Sequence, residues 1–235
     1  MAQRRVSVPE IGEVVLAKRR GSTNMRLSIN ASGQVRVGMP YWTPYEAGLV
    51  FIKSKKSWIQ QQLVTHAPSE LRNGSRIGKA HRLIFYRSNS SNGLANVRIT
   101  ATTIEIRTSL DPSDARVQNR ALKACEEALK MEAKQLLPIR VKAISSKNQL
   151  EYNDLKIRKL TSRWGSCSTN KVISLSYFLI QLPWELIDYV ILHELAHTRF
   201  LNHSRDFWEF MERNLPNVRE LRKLIKDHKP RVEVL

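Results

Sequence analysis

Three histidines lie close together in the stretch ILHELAHTRFLNHSRDFW, residues 191–208. His193 and His197 are four residues apart, so on an α-helix their imidazoles lie on one face, one turn apart. Neutral imidazoles at this spacing can bind a single divalent metal ion. Glu194 directly follows the first histidine, where a carboxylate can accept a proton from a water molecule. The residue types and their spacing therefore predict hydrolytic chemistry at a metal ion.

The pattern H-E-x-x-H does not complete such a site, because catalytic zinc takes three protein ligands and keeps a fourth position open. His203 is the first candidate for the third ligand. In an unbroken helix it would lie on the far side from His197, so the helix must end before it. Asn202 tolerates the left-handed conformation that ends helices, and Ser204 can cap a new helix that starts at Arg205. We therefore expect a turn that brings His203 back to the other two histidines.

Other assignments stay open from these residues alone. Cys167 can act as a ligand or a nucleophile, and a later carboxylate or imidazole can replace His203 as the third ligand. The alternative third ligands are Glu209, Glu212, Glu220 and His228. The helix can also be a structural one whose histidines are hydrogen-bonded core residues. Three histidines in one short stretch favour the metal site.

The segment RWGSC, residues 163–167, precedes the histidine-bearing stretch at the end of a predicted strand. Arg163 can hold a carboxylate or a phosphate, or stabilise an oxyanion. Trp164 either contacts substrate or packs in the core at a tight turn, and Tyr177 is a second candidate electrophile. The segment LTSRWGSC or the following strand ISLSYFLI can bind extended substrate as an added strand. We expect substrate contacts from Arg163, Trp164 and Tyr177.

The elements that must position these residues begin with strands. Short runs that alternate polar and apolar residues indicate antiparallel strands, with NASG at residues 30–33 as a hairpin turn. These runs are EVVLAKR, MRLSIN, QVRVGMP, HRLIFYRS and NVRITATTIEIRTSL, the last two being separated by the turn-rich SNSSNG. The stretch PYEAGLVFIKSKKSWIQQQL, residues 44–63, has helical spacing. Its predicted buried residues are Leu49, Ile52, Trp58, Ile59 and Leu63.

Helices dominate the later part of the chain. A helix from Ser113, with Asp111 or Ser113 as its N-cap, is expected to end near Pro138, which lacks a backbone donor. DLKIRKLTSRW then predicts a strand, GSCSTNK a turn and VISLSYFLIQ a second strand. The predicted helices after these strands are PWELIDYVILHELAHTRF, SRDFWEFMERNL and VRELRKLIKDH. Strands first and helices later predict an α+β fold, with an antiparallel β-rich N-terminal region over residues 1–110.

The chain carries a net charge of +18, which is unevenly distributed. Residues 1–150 contain 25 Lys and Arg against 10 Asp and Glu, whereas residues 151–235 contain 14 against 11. A basic region attracts nucleic acid, nucleotides or acidic membrane surfaces, although a solvated surface without a dedicated partner fits the composition equally well.

Compartment and redox state follow from what the sequence lacks. No apolar run is long enough to span a membrane, and the first residues have no apolar segment typical of a signal peptide. The two cysteines, Cys125 and Cys167, are expected to be reduced thiols. We therefore expect a cytoplasmic protein.

The order and spacing of RWGSC, the strand after it, PWELIDYVILHELAH and LNHSRDFW resemble the YgjP-like family of bacterial zinc metallopeptidases, relatives of the SprT-like and WLM proteases. The resemblance covers roughly residues 150–230 and extends more loosely upstream, to the helix ending in KSWIQQQL. It implies a minimal zincin-like domain over residues 111–235, or one continuous domain of the YgjP-like type. It also implies that the three histidines bind one zinc ion and that Glu194 is the catalytic base.

The first functional hypothesis is a zinc-dependent metallopeptidase that cleaves peptide bonds with a metal-activated water. Some family members are associated with nucleotide pyrophosphate hydrolysis, so a nucleoside triphosphate pyrophosphohydrolase is the second hypothesis, supported by the basic region and Arg163. Three imidazoles favour a softer metal than magnesium, which supports the first hypothesis. In a third hypothesis the basic N-terminal region docks the hydrolase on nucleic acid, although the sequence contains no recognisable nucleic-acid-binding motif.

Overall fold

The computed structural model describes residues 3–29, 34–66, 70–89 and 96–233. The chain divides into two compact units, Met1–Ser69 and Glu70–Leu235. This division lies earlier in the chain than the boundary that the sequence suggests after residue 110, because the strands just before that point pack on the helix that follows it. The predicted turn NASG and most of SNSSNG lie outside the described residues. No helix in the described ranges is long and apolar enough to cross a membrane.

In the first unit, the described residues form one sheet and two helices that share an apolar core. Its elements are β1 (Gln3–Val8), β2 (Gly12–Arg19), β3 (Arg26–Ile29), β4 (Val35–Pro40), α1 (Tyr45–Ser54) and α2 (Lys56–His66). The buried core residues are Val8, Val14, Leu16, Val35, Val37, Met39, Ile52 and Ile59. Since side chains alternate between the two faces of a strand, the residues between these core positions lie on the opposite face of the sheet.

The sheet of the first unit is mixed, so the prediction of a purely antiparallel region is wrong in this detail. The strand order is β1-β2-β4-β3, in which β2 and β4 are parallel and the outer pairs are antiparallel. Val37 and Met39 of β4 are fully buried, whereas Arg26 and Ser28 of β3 are exposed. The more apolar β4 therefore takes the central position next to β2, and β3 takes the edge. The α+β fold class itself is confirmed.

The single helix predicted over residues 44–63 is two helices, which meet at Lys55. Ile52 and Ile59 are fully buried, as predicted. Trp58 is 44% exposed, so the prediction that it is buried is wrong. Neighbouring residues on a helix point about 100° apart, so Trp58 cannot face the core while Ile59 does.

The described residues of the second unit form two sheets, a long α-helix and three shorter α-helices. The first sheet has the order β5-β6-β8-β7 and comprises β5 (Arg76–Ile77), β6 (His81–Arg87), β7 (Asn96–Ile99) and β8 (Thr103–Thr108). The second has the order β10-β11-β9 and comprises β9 (Asp154–Arg158), β10 (Gly165–Cys167) and β11 (Val172–Ser176). The helices are α3 (Ala115–Asn148), α4 (Trp184–Ala196), α5 (Arg205–Asn214) and α6 (Val218–Leu224).

Helix α3 continues through Pro138 to Asn148, so its predicted end is wrong. Leu137 and Val141, which flank the proline, are both fully buried in the main core. The apolar face of α3 therefore continues past the proline, and burial of this face outweighs the one backbone hydrogen bond that proline removes.

Three shorter stretches also differ from the prediction. Asp114 is the N-cap of α3 rather than Asp111 or Ser113, since its side chain accepts a hydrogen bond from the backbone N–H of Arg116. GSC forms β10 instead of part of a turn, and LTSRW lies beyond the end of β9. YFLIQ (Tyr177–Gln181) is a fully buried 3-10 helix rather than the end of a strand. A short continuous apolar run does not distinguish a buried strand from a buried helical turn.

Candidate metal centre

Helix α4, which carries the first histidine, is fixed to the core and to α3. Leu186, Val190 and Leu195 are buried, as the predicted apolar face requires. On its other side, the guanidinium of Arg140 in α3 donates to both carboxylate oxygens of Asp188, with an Nε–Oδ1 distance of 2.5 Å. Apolar packing and a bidentate ion pair together orient this helix.

The chain turns sharply after α4. The backbone N–H groups of Thr198 and Phe200 donate to the carbonyls of Leu195 and Ala196, over 2.9 and 2.8 Å. The helix therefore ends with His197 as its C-cap, five residues before Asn202. Asn202 does not adopt the predicted left-handed conformation, because the helix has already ended before it. 

Helix α5 begins soon after this turn. Its N-cap is Ser204, as predicted, and the side chain of Ser204 accepts a hydrogen bond from the backbone N–H of Phe207. The turn and the new helix place His203 between them.

This turn brings the three histidines together. One ring nitrogen from each of His193, His197 and His203 lies within 4.8 Å of the other two. The Nε2 atoms of His193 and His203 are 3.0 Å apart. Nδ1 of His197 lies 3.0 Å from the carbonyl oxygen of Phe200, to which it donates, and this leaves Nε2 as the acceptor nitrogen. The geometry suits a single ion held by three imidazoles.

The alternative third ligands have other partners. Glu209 pairs with Arg205 at 2.6 Å, Glu212 pairs with Arg219 at 2.9 Å, and Nδ1 of His228 lies 3.0 Å from Glu233. Among the residues that the structure describes, the three histidines form the only cluster with ligand atoms this close together, so Glu220 and Cys167 are not part of one.

Cys167 lies near the site, but its side chain favours the protonated thiol over the thiolate. Burial is the main cause that raises its pKa, and the charge of Glu194 raises it further. Its Sγ donates to the carbonyl oxygen of Ser168, over 3.4 Å. A thiol with a raised pKa is a poor nucleophile and a poor metal ligand at neutral pH.

The pKa values of His193 and His203 favour the neutral imidazole that metal binding requires. Burial, together with His197, His203 and Arg222, lowers the pKa of His193 to about 3. The pKa of His203 is lowered as well, mainly by burial. Nδ1 of His193 is buried without a hydrogen-bond partner in the described part of the chain. Neutral imidazoles offer their lone pairs at neutral pH, so this donor set fits zinc.

Glu194 is a buried carboxyl next to the histidine cluster. It is 8% exposed. Burial raises its pKa to about 7, and the positive charge of Arg163 partly opposes this shift. A carboxyl group with this pKa can accept and return a proton at neutral pH.

Strand β10 lies directly against Glu194. A Cβ atom added to Gly165 would lie 2.6 Å from Cγ and 2.7 Å from Oε1 of Glu194, so a larger residue would displace the carboxyl group. β10 is an edge strand, and its outer edge can pair with an extended peptide. β11, which contains part of the other predicted binding segment, has partners on both sides and cannot accept a further strand.

The predicted substrate-contacting residues separate into two groups. Arg163 is exposed in the loop before β10, and its charge acts on Glu194, which places it near the site. Trp164 packs partly buried against the main core. Tyr177 is only 6% exposed, and its hydroxyl donates to Glu126 of α3 over 3.2 Å. The structure thus brings Arg163 to the site and places Trp164 and Tyr177 in structural positions.

Sequence reasoning missed several groups around the histidines. The ring of Phe207 packs against all three imidazoles at centroid distances of 4.9–5.1 Å. The indole of Trp208 stacks on His203 at 5.8 Å, and the guanidinium carbon of Arg222 lies 4.4 Å from the Trp208 ring. Phe207 and Trp208 lie in the first turn of α5, shortly after His203, and this position could have indicated their contact with the histidines. Nothing in the sequence indicates that Arg222 contacts Trp208 or that Gly165 contacts Glu194.

Comparison with known proteins gives the site a family context. A family model described as YgjP-like, metallopeptidase domain, matches residues 23–228. A search of curated proteins found no match. The crystal structure of the metallopeptidase zymogen of Pyrococcus abyssi abylysin is 21% identical, with a TM-score of 0.36, and the match covers 39% of this chain and 93% of that one. The crystal structure of the metallopeptidase zymogen of Methanocaldococcus jannaschii jannalysin is 24% identical, with a TM-score of 0.35. That match covers 38% of this chain and 93% of the other. Because the family match spans most of its length, the chain belongs to the YgjP-like family and carries a metallopeptidase domain.

Proposed function

We propose that this protein is a zinc-dependent metallopeptidase that binds one zinc ion through His193, His197 and His203. The observation that carries the proposal is the convergence of three imidazole nitrogens at the end of the helix that carries a buried carboxyl group, Glu194. Zinc in such a site supplies Lewis acidity, which lowers the pKa of water and polarises a peptide carbonyl. Magnesium prefers several oxygen ligands, so three imidazoles favour zinc over magnesium.

Glu194 performs the proton transfers in this mechanism. As a carboxylate it accepts a proton from the attacking water at one of its oxygens. It then donates that proton to the nitrogen of the leaving amine. A pKa of about 7 supports both roles, because neither transfer is strongly unfavourable at neutral pH. Arg163, whose charge already acts on Glu194, is assigned to the negative charge that develops on the carbonyl oxygen.

The substrate of this mechanism is an extended peptide paired with the outer edge of β10. Backbone hydrogen bonds to an edge strand hold a peptide with little dependence on its sequence. Gly165 in this strand lies against Glu194, so a peptide paired there runs close to the catalytic base.

The test of the proposed function is Glu194→Gln in the full chain, assayed on an unstructured protein such as casein. We expect hydrolysis to fall by about 10²–10⁴-fold, the usual contribution of a general base, while zinc content stays unchanged. Glu185→Gln is the matched control, since Glu185 is an exposed glutamate on the same helix; it should keep full activity. Hydrolysis that survives in Glu194→Gln at the rate of the unmodified protein contradicts the assignment.

The same assay distinguishes the nucleotide hypothesis. Nucleoside triphosphates are incubated with the zinc-loaded protein, and pyrophosphate release is measured beside casein cleavage. Casein cleavage without pyrophosphate release is the expected result. Pyrophosphate release that depends on Glu194, without cleavage of casein, would replace the peptidase with a triphosphate hydrolase.

A further inference from the structure

We propose that the first unit binds single-stranded nucleic acid in an arginine-lined pocket on its sheet. The open pocket has a volume of about 900 Å³ and is formed by β2, β3, β4 and the connection between β2 and β3. Residues Arg26, Ser28 and Arg36 alternate with the apolar residues that face α1 and α2, so they lie on the opposite face of the sheet. One face of this sheet is thus packed by helices, and the other carries the pocket.

The pocket concentrates positive charge without compensation. Four arginines line it: Arg19, Arg20, Arg26 and Arg36. None of the residues that line the pocket is acidic, and none of the four arginines forms an ion pair with another described residue. By contrast, Arg5 of β1 pairs with Glu13 of β2 at 3.3 Å. The pocket is therefore a site for an anion, and guanidinium groups bind phosphate oxygens in a bidentate manner.

The arrangement of the arginines favours a ligand with several anionic groups. Arg26 is paired with Gly38 across the antiparallel strands, and Arg36 is paired with Ser28. Arg26 and Arg36 are therefore diagonal neighbours, with Cα atoms about 7–8 Å apart. A Cβ atom on Gly38, which also lines the pocket, would have no described atom closer than 3.8 Å, so the pocket has open space at this position. A single guanidinium group can bind one phosphate, so four guanidinium groups can bind successive phosphates of a nucleic-acid backbone.

Exposed aromatic residues beside the pocket indicate which kind of ligand with several anionic groups it binds. Tyr41 and Trp42 directly follow β4 and are 53% and 67% exposed. The guanidinium carbon of Arg20, a lining residue, lies 5.5 Å from the centroid of the Tyr41 ring. A basic groove combined with exposed aromatic rings is the arrangement that binds single strands, because the backbone follows the positive charge and the bases stack on the rings. An acidic peptide would use the arginines only, and the bases of a duplex are already stacked on one another.

The first experiment measures binding of the full-length protein to fluorescein-labelled oligouridylate and oligothymidylate by fluorescence anisotropy at increasing salt. The double variant Arg26→Gln/Arg36→Gln should bind at least about tenfold more weakly, and the slope of log affinity against log salt should fall by about 1.4, or 0.7 per lost phosphate contact. The control, Arg82→Gln/Arg98→Gln, removes the same charge from exposed strand positions of the second unit and should change affinity by less than about twofold.

A second pair of variants tests the aromatic contribution. Trp42→Ala should weaken binding by about tenfold through loss of base stacking. Trp58→Ala, which removes another exposed tryptophan of the same unit, should leave binding unchanged. Circular dichroism reports the folding of each variant, and Trp42→Ala tests the proposal independently if the double arginine variant does not fold.

Several results would overturn the proposal. Among them are absence of oligonucleotide binding at low salt, equal weakening by the two arginine pairs, and binding that does not respond to Trp42→Ala. Displacement of the labelled strand by polyglutamate as readily as by unlabelled oligonucleotide would assign the pocket to an acidic protein. The proposal is independent of the proposed peptidase activity, since Glu194→Gln should bind the oligonucleotides as tightly as the unmodified protein.

Discussion

Two glutamates of the second unit are equally buried but differ in their hydrogen bonds. Glu132 is 5% exposed and accepts hydrogen bonds from the backbone N–H groups of Lys79 and Ala80, at 2.5 and 3.0 Å. It also accepts from the backbone N–H of His81, at 3.3 Å, and lies 2.5 Å from Nδ1 of that ring. Glu194 is 8% exposed, and its carboxyl group has no hydrogen-bond partner among the residues that the structure describes. Full hydrogen bonding is typical of a structural carboxyl group such as Glu132, whereas the lack of these bonds at Glu194 is what the proposed general base requires.

A glycine lies against each of these carboxyl groups, with a different result. A Cβ atom on Gly78 would lie 2.8 Å from Cδ of Glu132, and on Gly165 it would lie 2.9 Å from Cδ of Glu194. At Gly78 the close approach allows the following backbone N–H groups to reach the carboxylate. At Gly165 it provides space for a carboxyl group that stays unpaired beside the histidine cluster. The close approach of a glycine can therefore either fix a buried carboxyl group through backbone hydrogen bonds or leave it unpaired.

The largest expected effect is on stability. Glu132→Ala should lower the free energy of unfolding of the second unit by about 3–5 kcal/mol, because it leaves His81 and buried backbone N–H groups without an acceptor. Glu127→Ala on the same helix is the control, since Glu127 is 60% exposed in its ion pair with Lys130, and it should cost at most about 1 kcal/mol. Urea unfolding monitored by circular dichroism gives both values. Equal losses in the two variants would remove the structural role assigned to Glu132.

The next effect is a pH dependence specific to Glu194. Its pKa is about 7 in the folded protein without metal, against an ordinary value of 4.5. The folded state therefore binds more protons than the unfolded state between these values, and the stabilising contribution of Glu194 decreases as pH rises through this window. In EDTA, the free energy of unfolding of the unmodified protein should fall relative to that of Glu194→Gln by on the order of 3 kcal/mol between about pH 4 and pH 8. A difference that does not change with pH would mean that Glu194 is ionised in the ordinary range.

The smallest of these effects concerns the glycine. Gly165→Ala should displace the Glu194 carboxyl group and lower casein hydrolysis by about 10²-fold, the usual cost of a misplacement of about 1 Å. Zinc content should stay unchanged. Gly38→Ala is the control, since the added Cβ atom meets its nearest neighbour at an ordinary 3.8 Å, and it should keep full activity. Full activity in Gly165→Ala would show that β10 does not constrain the base.

The site was predictable from the sequence where local rules decide the structure. Helical phase predicted that His193 and His197 share a face, and the capping preference of Ser204 predicted the helix that follows His203. The same local rules failed where packing decided the outcome. Pro138 does not end α3, because the buried face of the helix continues past it from Leu137 to Val141.

Arg163 excepted, the contacts of distant segments with the site could not be predicted. Gly165 and Arg222 carry no local signal for their neighbours, since their positions beside Glu194 and Trp208 depend on how β10 and α6 pack on the unit. The order of the strands in the first sheet had the same origin, because β4 replaced β3 next to β2 through its greater apolar burial.

Metal analysis of the purified protein beside its His203→Ala variant tests the central claim most directly. We predict one zinc ion per chain in the unmodified protein and a loss of at least about tenfold in zinc affinity in His203→Ala, because a three-imidazole site loses one ligand. His228→Ala, a histidine paired with Glu233 and separate from the cluster, should retain full affinity. Full zinc affinity in His203→Ala, or its loss in His228→Ala, would contradict the account.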